Sequence, residues 1–208
     1  MKRRTLDIMF SIGGLFLSGL LLVLGLVMTS NANFANDYVK DQLAAQKIFF
    51  TPLEALSDAE KEADCVVEYA GEQLVTGKQA ECYANEYIGL HVSETAEGLT
   101  YAELGTPQRE LRTQVTEATE SNDPALEDLQ AQLDEINGQR ETLFKGETLR
   151  GVLLTSYGFS EFGTKGEQVA TVAYIAAFLL FVLSIAGFIH AFRTPKEATF
   201  AEPEHTAA

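Results

Sequence analysis

Two uncharged apolar runs, Ile8 to Met28 and Val169 to Phe192, lie near the two ends of the chain and enclose 138 acidic residues, 31–168. Runs of 21 and 24 residues, at about 1.5 Å of helical rise each, can cross the roughly 30 Å hydrocarbon core of a bilayer. Lys2, Arg3 and Arg4 precede the first run, and Arg193 and Lys196 follow the second. The positive-inside rule puts both termini in the cytoplasm, and two crossings agree with two inside ends. The expected fold is an all-α membrane protein with two transmembrane helices flanking an extracytoplasmic helical hairpin or bundle. Its parts are a cytoplasmic N-terminus over 1–7, a span over 8–30, the acidic helical domain over 31–168, a span over 169–192, and a disordered cytoplasmic tail over 193–208.

A cleaved signal peptide is the rival reading of the first run, since Lys2 to Arg4 form a basic n-region and Ser30-Asn31-Ala32 supplies small residues. The run exceeds an h-region of about 7–15 residues and flows into further helical pattern at Phe34, Tyr38, Gln42 and Ala45. An uncleaved anchor fits better.

Residues 31–168 carry ten Lys and Arg against 26 Asp and Glu, a net charge of −16 in a chain whose total is −15. Such a domain is repelled by phosphate backbones and anionic head groups, which disfavours nucleic acid and peripheral lipid as partners. Proteins and cations are the expected contacts.

Capping signals divide the acidic domain into helices. Ser57-Asp58-Ala59-Glu60 is a capping box, and Ala59, Ala63, Val66, Ala70 and Leu74 form an apolar face behind it that Gly77 can close. Ala80, Tyr83, Ala84, Tyr87, Ile88 and His91 predict a second helix folded back on the first. Thr100 with Glu103 repeats the capping-box pattern, and Thr106-Pro107 and Asp123-Pro124 each place Pro at an expected first helical position. Leu126, Leu129, Leu133, Ile136, Arg140 and Leu143 then follow a heptad seam with one polar interruption. Beyond it, Tyr157, Phe159 and Phe162 stand amid glycines, and aromatics beside a span favour the membrane interface or the base of the bundle.

Cys65 and Cys82 are the candidates for a disulfide, both in the segment expected to be oxidising. On two helices folded about Thr76-Gly77 they lie 11 and 5 residues from the turn, an offset of about 9 Å that argues against a bridge unless the second helix starts late. A disulfide and two free buried thiols both stand as readings. Their spacing matches no zinc pattern.

The three histidines, His91, His190 and His205, cannot meet across a membrane, so a facial metal site is not expected. His91 on an apolar stripe reads as a hydrogen-bonded core residue, and His190, three residues before Arg193, as a headgroup-depth residue rather than an ion path. Cys82 and His91, nine residues apart on one helix, point about 180° away from each other and form no dyad. Glu147 and Arg150, at i and i+3, predict a structural ion pair. Small residues in the spans carry more information. Ser11, Gly14, Ser18 and Gly25 share one face of the first, and Ala173, Ala177, Ser184, Gly187 and Ala191 one face of the second. Such stripes let helices approach closely in lipid, either with each other or with a larger partner.

Three stretches resemble a family of small two-span membrane proteins of actinobacteria. They are Tyr38-Val39-Lys40-Asp41-Gln42-Leu43 with Gln46-Lys47-Ile48; Tyr69-Ala70-Gly71-Glu72-Gln73-Leu74 through Thr76-Gly77 to Tyr83-Ala84-Asn85; and Gly146-Glu147-Thr148-Leu149-Arg150-Gly151. Members often bear the automatic name "aromatic ring-opening dioxygenase", an activity whose iron ligands this chain lacks. Its two cysteines are not part of that family's pattern. The architecture is also similar to accessory subunits of the actinobacterial respiratory supercomplex. With no catalytic constellation in the sequence, a domain tethered at both ends and packing faces on the spans, the expected function is a non-catalytic accessory or scaffold protein of the cytoplasmic membrane, without cofactor, that contacts a larger membrane assembly such as a respiratory complex through a membrane-protein partner. The rival expectation is a ligand-sensing module that signals through a partner, and an enzyme ranks third.

Overall fold

The computed structural model describes residues 2–196, 198 and 199, and these are overwhelmingly helical. Among them the α-helices are α1 (Arg3–Gln46), α2 (Asp64–Glu68), α3 (Gly77–Cys82), α4 (Gly89–Thr95), α5 (Gly105–Ser121) and α6 (Leu126–Arg193), with a π-helical segment, Tyr83–Ile88, joining α3 to α4. No strand forms among the described residues, only the isolated bridges Lys2 with Thr199 and Phe49 with Gln73. Residue 197 and residues 200–208 of the tail expected to be disordered, His205 included, lie outside the described residues. Within that tail, Ala198 accepts a hydrogen bond of 3.1 Å from the Arg3 amide.

Two compact units make up the chain, Met1–Asn36 with Phe162–Ala208, and Asp37–Glu161. In the first, α1 and α6 each contain a stretch long and apolar enough to cross a membrane. They run antiparallel there, because Ser11 meets Gly187, Gly14 meets Ser184, and Gly25 meets Tyr174 with only 2.6 Å left for a Cβ. Their other faces expose large apolar side chains such as Phe10, Phe16, Phe178 and Phe192.

The unit 37–161 is built on two cores. One packs Val39 and Leu43 of α1 and Leu153 of α6 around Phe50, Val66, Leu74 and Ala80. The other sets Ile136 and Leu143 of α6 against Ala96 and Leu104. The heptad's polar interruption has a specific partner, since the Arg140 guanidinium lies 4.0 Å over the Tyr101 ring and donates to the Tyr101 carbonyl at 2.8 Å.

Several expected boundaries move, each for a local reason. The helix expected over Ala59–Leu74 reduces to a 3-10 turn at Glu60–Glu62 and the five-residue α2, ended by Gly71 at φ +78°. Leu74 and Phe50 are instead drawn into extended pairing, Leu74 N to Ile48 O and Phe50 N to Glu72 O, both 2.9 Å. Gly77 does not close a helix but opens α3, because Thr76 and Gln79 form a complete capping box. Pro107 is the third residue of α5, where its missing N–H still costs nothing, and Pro124 precedes α6, whose entry is capped by Asp123 accepting from Ala125 N at 2.8 Å. Residues 146–162 form no separate interfacial segment, since α6 is one helix of 68 residues. Proline is absent throughout it, and Gly146 serves a close approach, since a Cβ there would strike Val92.

Candidate functional site

The capping boxes and π segment of the 37–161 unit fix three things: a stapled corner, a buried carboxylate with a histidine, and an open groove. Cys65 and Cys82 are bonded, with their Cα atoms 6.1 Å apart. The offset that argues against the bridge assumed one helix up to Gly77. With α2 ending at Glu68 and α3 starting at Gly77, both cysteines sit beside the same loop. Lys78 on α3 donates to Tyr157 Oη at 3.2 Å and to Glu81 at 3.2 Å, contacts that hold its ammonium above the ordinary lysine range, Tyr157 contributing most.

Glu60 is buried, and its Oε2 accepts from Ser57 N at 2.6 Å while Ser57 Oγ accepts from Glu60 N at 3.2 Å. His91 Nε2 donates to Glu60 Oε1 at 3.0 Å. The Ser57 amide, opposed by burial and helped by the Ser57 hydroxyl and His91, holds this carboxyl below its usual 4.5. His91 is not a core residue: its side chain is 49% exposed. The π segment adds residues to the turn before it, so the 3-4 spacing that places His91 on the buried stripe with Ala84 and Ile88 no longer holds. An aromatic series leads back from it, Tyr87 at 4.9 Å, Tyr83 at 4.7 Å from Tyr87, and Phe50 at 5.1 Å from Tyr83. Burial raises the Tyr83 phenol above its ordinary value. Glu60 with His91 can orient and polarise an imidazole, and Thr95 Oγ1, the nearby hydroxyl, donates back to the His91 carbonyl at 2.8 Å. Among the described residues no group of three His, Cys, Asp or Glu side chains is placed to hold a metal ion.

The groove runs between the last turns of α1 and the middle of α6, with a volume of about 620 Å³. Val39, Leu43 and Leu153 form its buried floor, and Tyr38, edge-on to Phe159 at 5.9 Å, closes one end. Gln42, Gln46, Thr148 and Ser156 supply uncharged polar groups, and Glu147 is the one charged residue in the lining. Its carboxylate takes Arg150 Nη1 at 2.8 and 3.1 Å, the pair expected at this spacing. Arg150 does more than pair, because its Nε donates to the Ala84 carbonyl at 3.0 Å, the same oxygen that the Gly89 amide reaches across the π turn.

The small residues of the two apolar stretches are spent on each other. Ser11, Ser18, Ala173, Ala177, Ser184 and Ala191 are all buried, and Ser18 Oγ donates to Ala177 O at 2.8 Å. His190 Nε2 lies 3.8 Å from Asp7 Oδ2, too far for a hydrogen bond, and that oxygen is buried without a partner among the described residues. Sequence reasoning missed Asp7, although it stands four residues before Ser11 on the same stripe. It also missed Glu60 as the partner of His91, and the groove. Val152 and Phe159, both exposed, apolar and seven residues apart on one face of α6, are the signal that could have found the groove.

The chain matches no protein-family model, no curated protein and no solved structure, so the likeness to two-span actinobacterial proteins rests on the stretches quoted for it.

Proposed function

We propose that this chain is a non-catalytic accessory protein of the cytoplasmic membrane that docks on a larger membrane assembly. In this reading residues 8–30 and 169–192 cross the bilayer, both termini are cytoplasmic, and residues 31–168 lie outside. The basic flanks and the exposed apolar faces of both stretches support it. One observation carries the docking role: the groove between α1 and α6 stays open and apolar, with its one charge neutralised, in a domain of net charge −16. Depletion of charge at the centre of an exposed apolar surface is the mark of a protein interface. The small-residue faces are already occupied by one another, whereas the groove is open in the 37–161 unit.

Extraction of native membranes in mild detergent tests this. The expected result is recovery of the chain in a complex of defined composition. A lone monomer, with no partner captured by crosslinking, refutes it. A second reading, ligand sensing through a partner, is favoured by a separate cavity of about 310 Å³ where Ile88, Val92 and Leu149 meet His91 and Lys145. Thermal-shift screening of the full chain against small ligands and divalent cations checks that reading, and no shift across the panel rejects it.

A further inference from the structure

We infer that the paired apolar stretches hold a specific site for one glycerophospholipid, with an acyl chain laid in a furrow between α1 and α6 and the phosphate on Lys165. The inference rests on the membrane-crossing part of the reading above and not on the accessory role. The furrow has a volume of about 520 Å³ and lies wholly within the unit of residues 1–36 and 162–208. Small Ala173 and Ala176 leave the space, and Leu21, Leu24 and Val172 flank it. At bilayer depth such a furrow faces acyl chains rather than water, so depth names its occupant.

Length agrees with one lipid of one leaflet. Lys165 stands four residues before the apolar run begins at Val169, about 6 Å out along the helix and so at headgroup depth. From Val169 the lining continues to Ala176, about 10 Å further, or two-thirds of the roughly 15 Å of hydrocarbon in one leaflet. The furrow thus follows a chain from its head group well towards the midplane.

Charge selects the head group. Lys165 is exposed at the outer end of the furrow, with Gln168 beside it, and among the described residues it has no ion-pair partner. The two acids within about a turn of it on α6 are engaged elsewhere: Glu161 lies 3.6 Å from Lys78, and Glu167 accepts from Asn36 Nδ2 at 3.0 Å. Opposite, where Ala32 lies against Gly166, α1 carries no charge from Met28 to Asn36. An unpaired ammonium above an apolar slot, with an amide donor next to it, matches a phosphodiester joined to an acyl chain. Orientation does not account for this lysine, since it lies on the side that the positive-inside rule leaves poor in cations.

The test is native mass spectrometry of the full chain, delipidated in mild detergent and given phosphatidylglycerol, with diacylglycerol of the same chains and inorganic phosphate as comparison probes. Phosphatidylglycerol should stay bound at one per chain, diacylglycerol several-fold less, and inorganic phosphate in excess should displace neither. Lys165→Gln should lower retention of phosphatidylglycerol several-fold and leave that of diacylglycerol unchanged, which separates a lost headgroup contact from a lost fold. Ala176→Phe should remove both lipids by filling the furrow. Ile185→Phe, the same ring at an exposed α6 position off the furrow, should keep the parental yield. Retention without fixed stoichiometry, equal retention by parent and Lys165→Gln, or displacement by inorganic phosphate overturns the inference. Release of the chain from native membranes by alkaline carbonate, without detergent, refutes the crossing reading and the lipid site with it. A chain that stays in the membrane but fails the lipid arms keeps its spans and loses the site.

Discussion

Replacing Cys65 and Cys82 together by Ser should loosen one corner of the 37–161 unit by an amount the sequence spacing sets. The bridge closes a loop with a separation of 17 residues, and loop-closure entropy at that length is worth about 3 kcal/mol at 25 °C. The loop contains Glu72 and Leu74, whose backbones pair with Phe50 and Ile48, so those hydrogen bonds report its integrity. With 1.4 kcal/mol per factor of ten, opening should become easier by about 100-fold. The assay is hydrogen exchange of the full chain in detergent, comparing parent and double variant at fixed pH and temperature. The Phe50 and Leu74 amides should exchange about two orders of magnitude faster, while amides in α5, outside the loop, keep their rates. A change of less than threefold at Phe50 and Leu74 refutes the argument, and so does alkylation of both cysteines in the unreduced native protein.

Three further outcomes follow from the same geometry. Glu60, whose folded-state carboxyl titrates below the usual 4.5, gives stability that is complete above about that pH and is lost as pH falls through the lower folded value. Glu60→Gln should therefore flatten the acid limb of a stability-against-pH curve and cost about 1–2 kcal/mol near neutrality; an unchanged acid limb rejects this role. Gly187→Ala should weaken the α1–α6 pairing, since its Cβ would strike Ser11, and Ser11→Gly in the same chain should restore it. Distances between spin labels at Phe10 and Leu183 read this directly, and a single variant with parental distances sinks the close-approach argument. Arg150→Lys should cost about 1–3 kcal/mol in thermal unfolding because lysine cannot serve Glu147 and the buried Ala84 carbonyl together, whereas Glu147→Gln should cost under about 1 kcal/mol, its carboxylate being half exposed. Equal losses in the two variants would show that the ion pair, and not the Ala84 contact, matters.

Features set by neighbouring residues were legible in the sequence. The capping boxes at Ser57–Glu60 and Thr100–Glu103 form reciprocal hydrogen bonds, and the 3-4 spacing of Leu126 to Leu143 places Ile136 and Leu143 in a core. The Glu147–Arg150 pair likewise needs only helical spacing. Two local signals compete at Gly77. Gly77 satisfies a helix C-terminus by composition, yet Thr76 and Gln79 around it satisfy an N-terminus by mutual hydrogen bonding, and the second carries two bonds against none. The π segment is illegible in apolar periodicity because Tyr83, Ala84, Tyr87 and Ile88 read equally well as an α-helical stripe. The groove was out of reach for another reason: its residues belong to positions 38–48 and 147–159, and only tertiary contact makes them one surface.

Arg150 explains why the π segment and the groove occur together. A π turn leaves the Ala84 carbonyl bonded to Gly89 rather than to the residue an α-helix would use, and a buried carbonyl with a spare lone pair can accept a second donor. The Arg150 Nε–H fills that place, which fixes where the segment carrying Tyr83 and Tyr87 meets α6 and so how those rings reach Phe50. The remaining face of the same guanidinium neutralises Glu147, the one acid in the groove lining. One side chain thus holds the π segment in place from behind and neutralises the one acid of the groove in front. An Arg fits this double task because its planar fork presents donors in two directions at once, while a lysine ammonium would satisfy one direction and leave the other unmet.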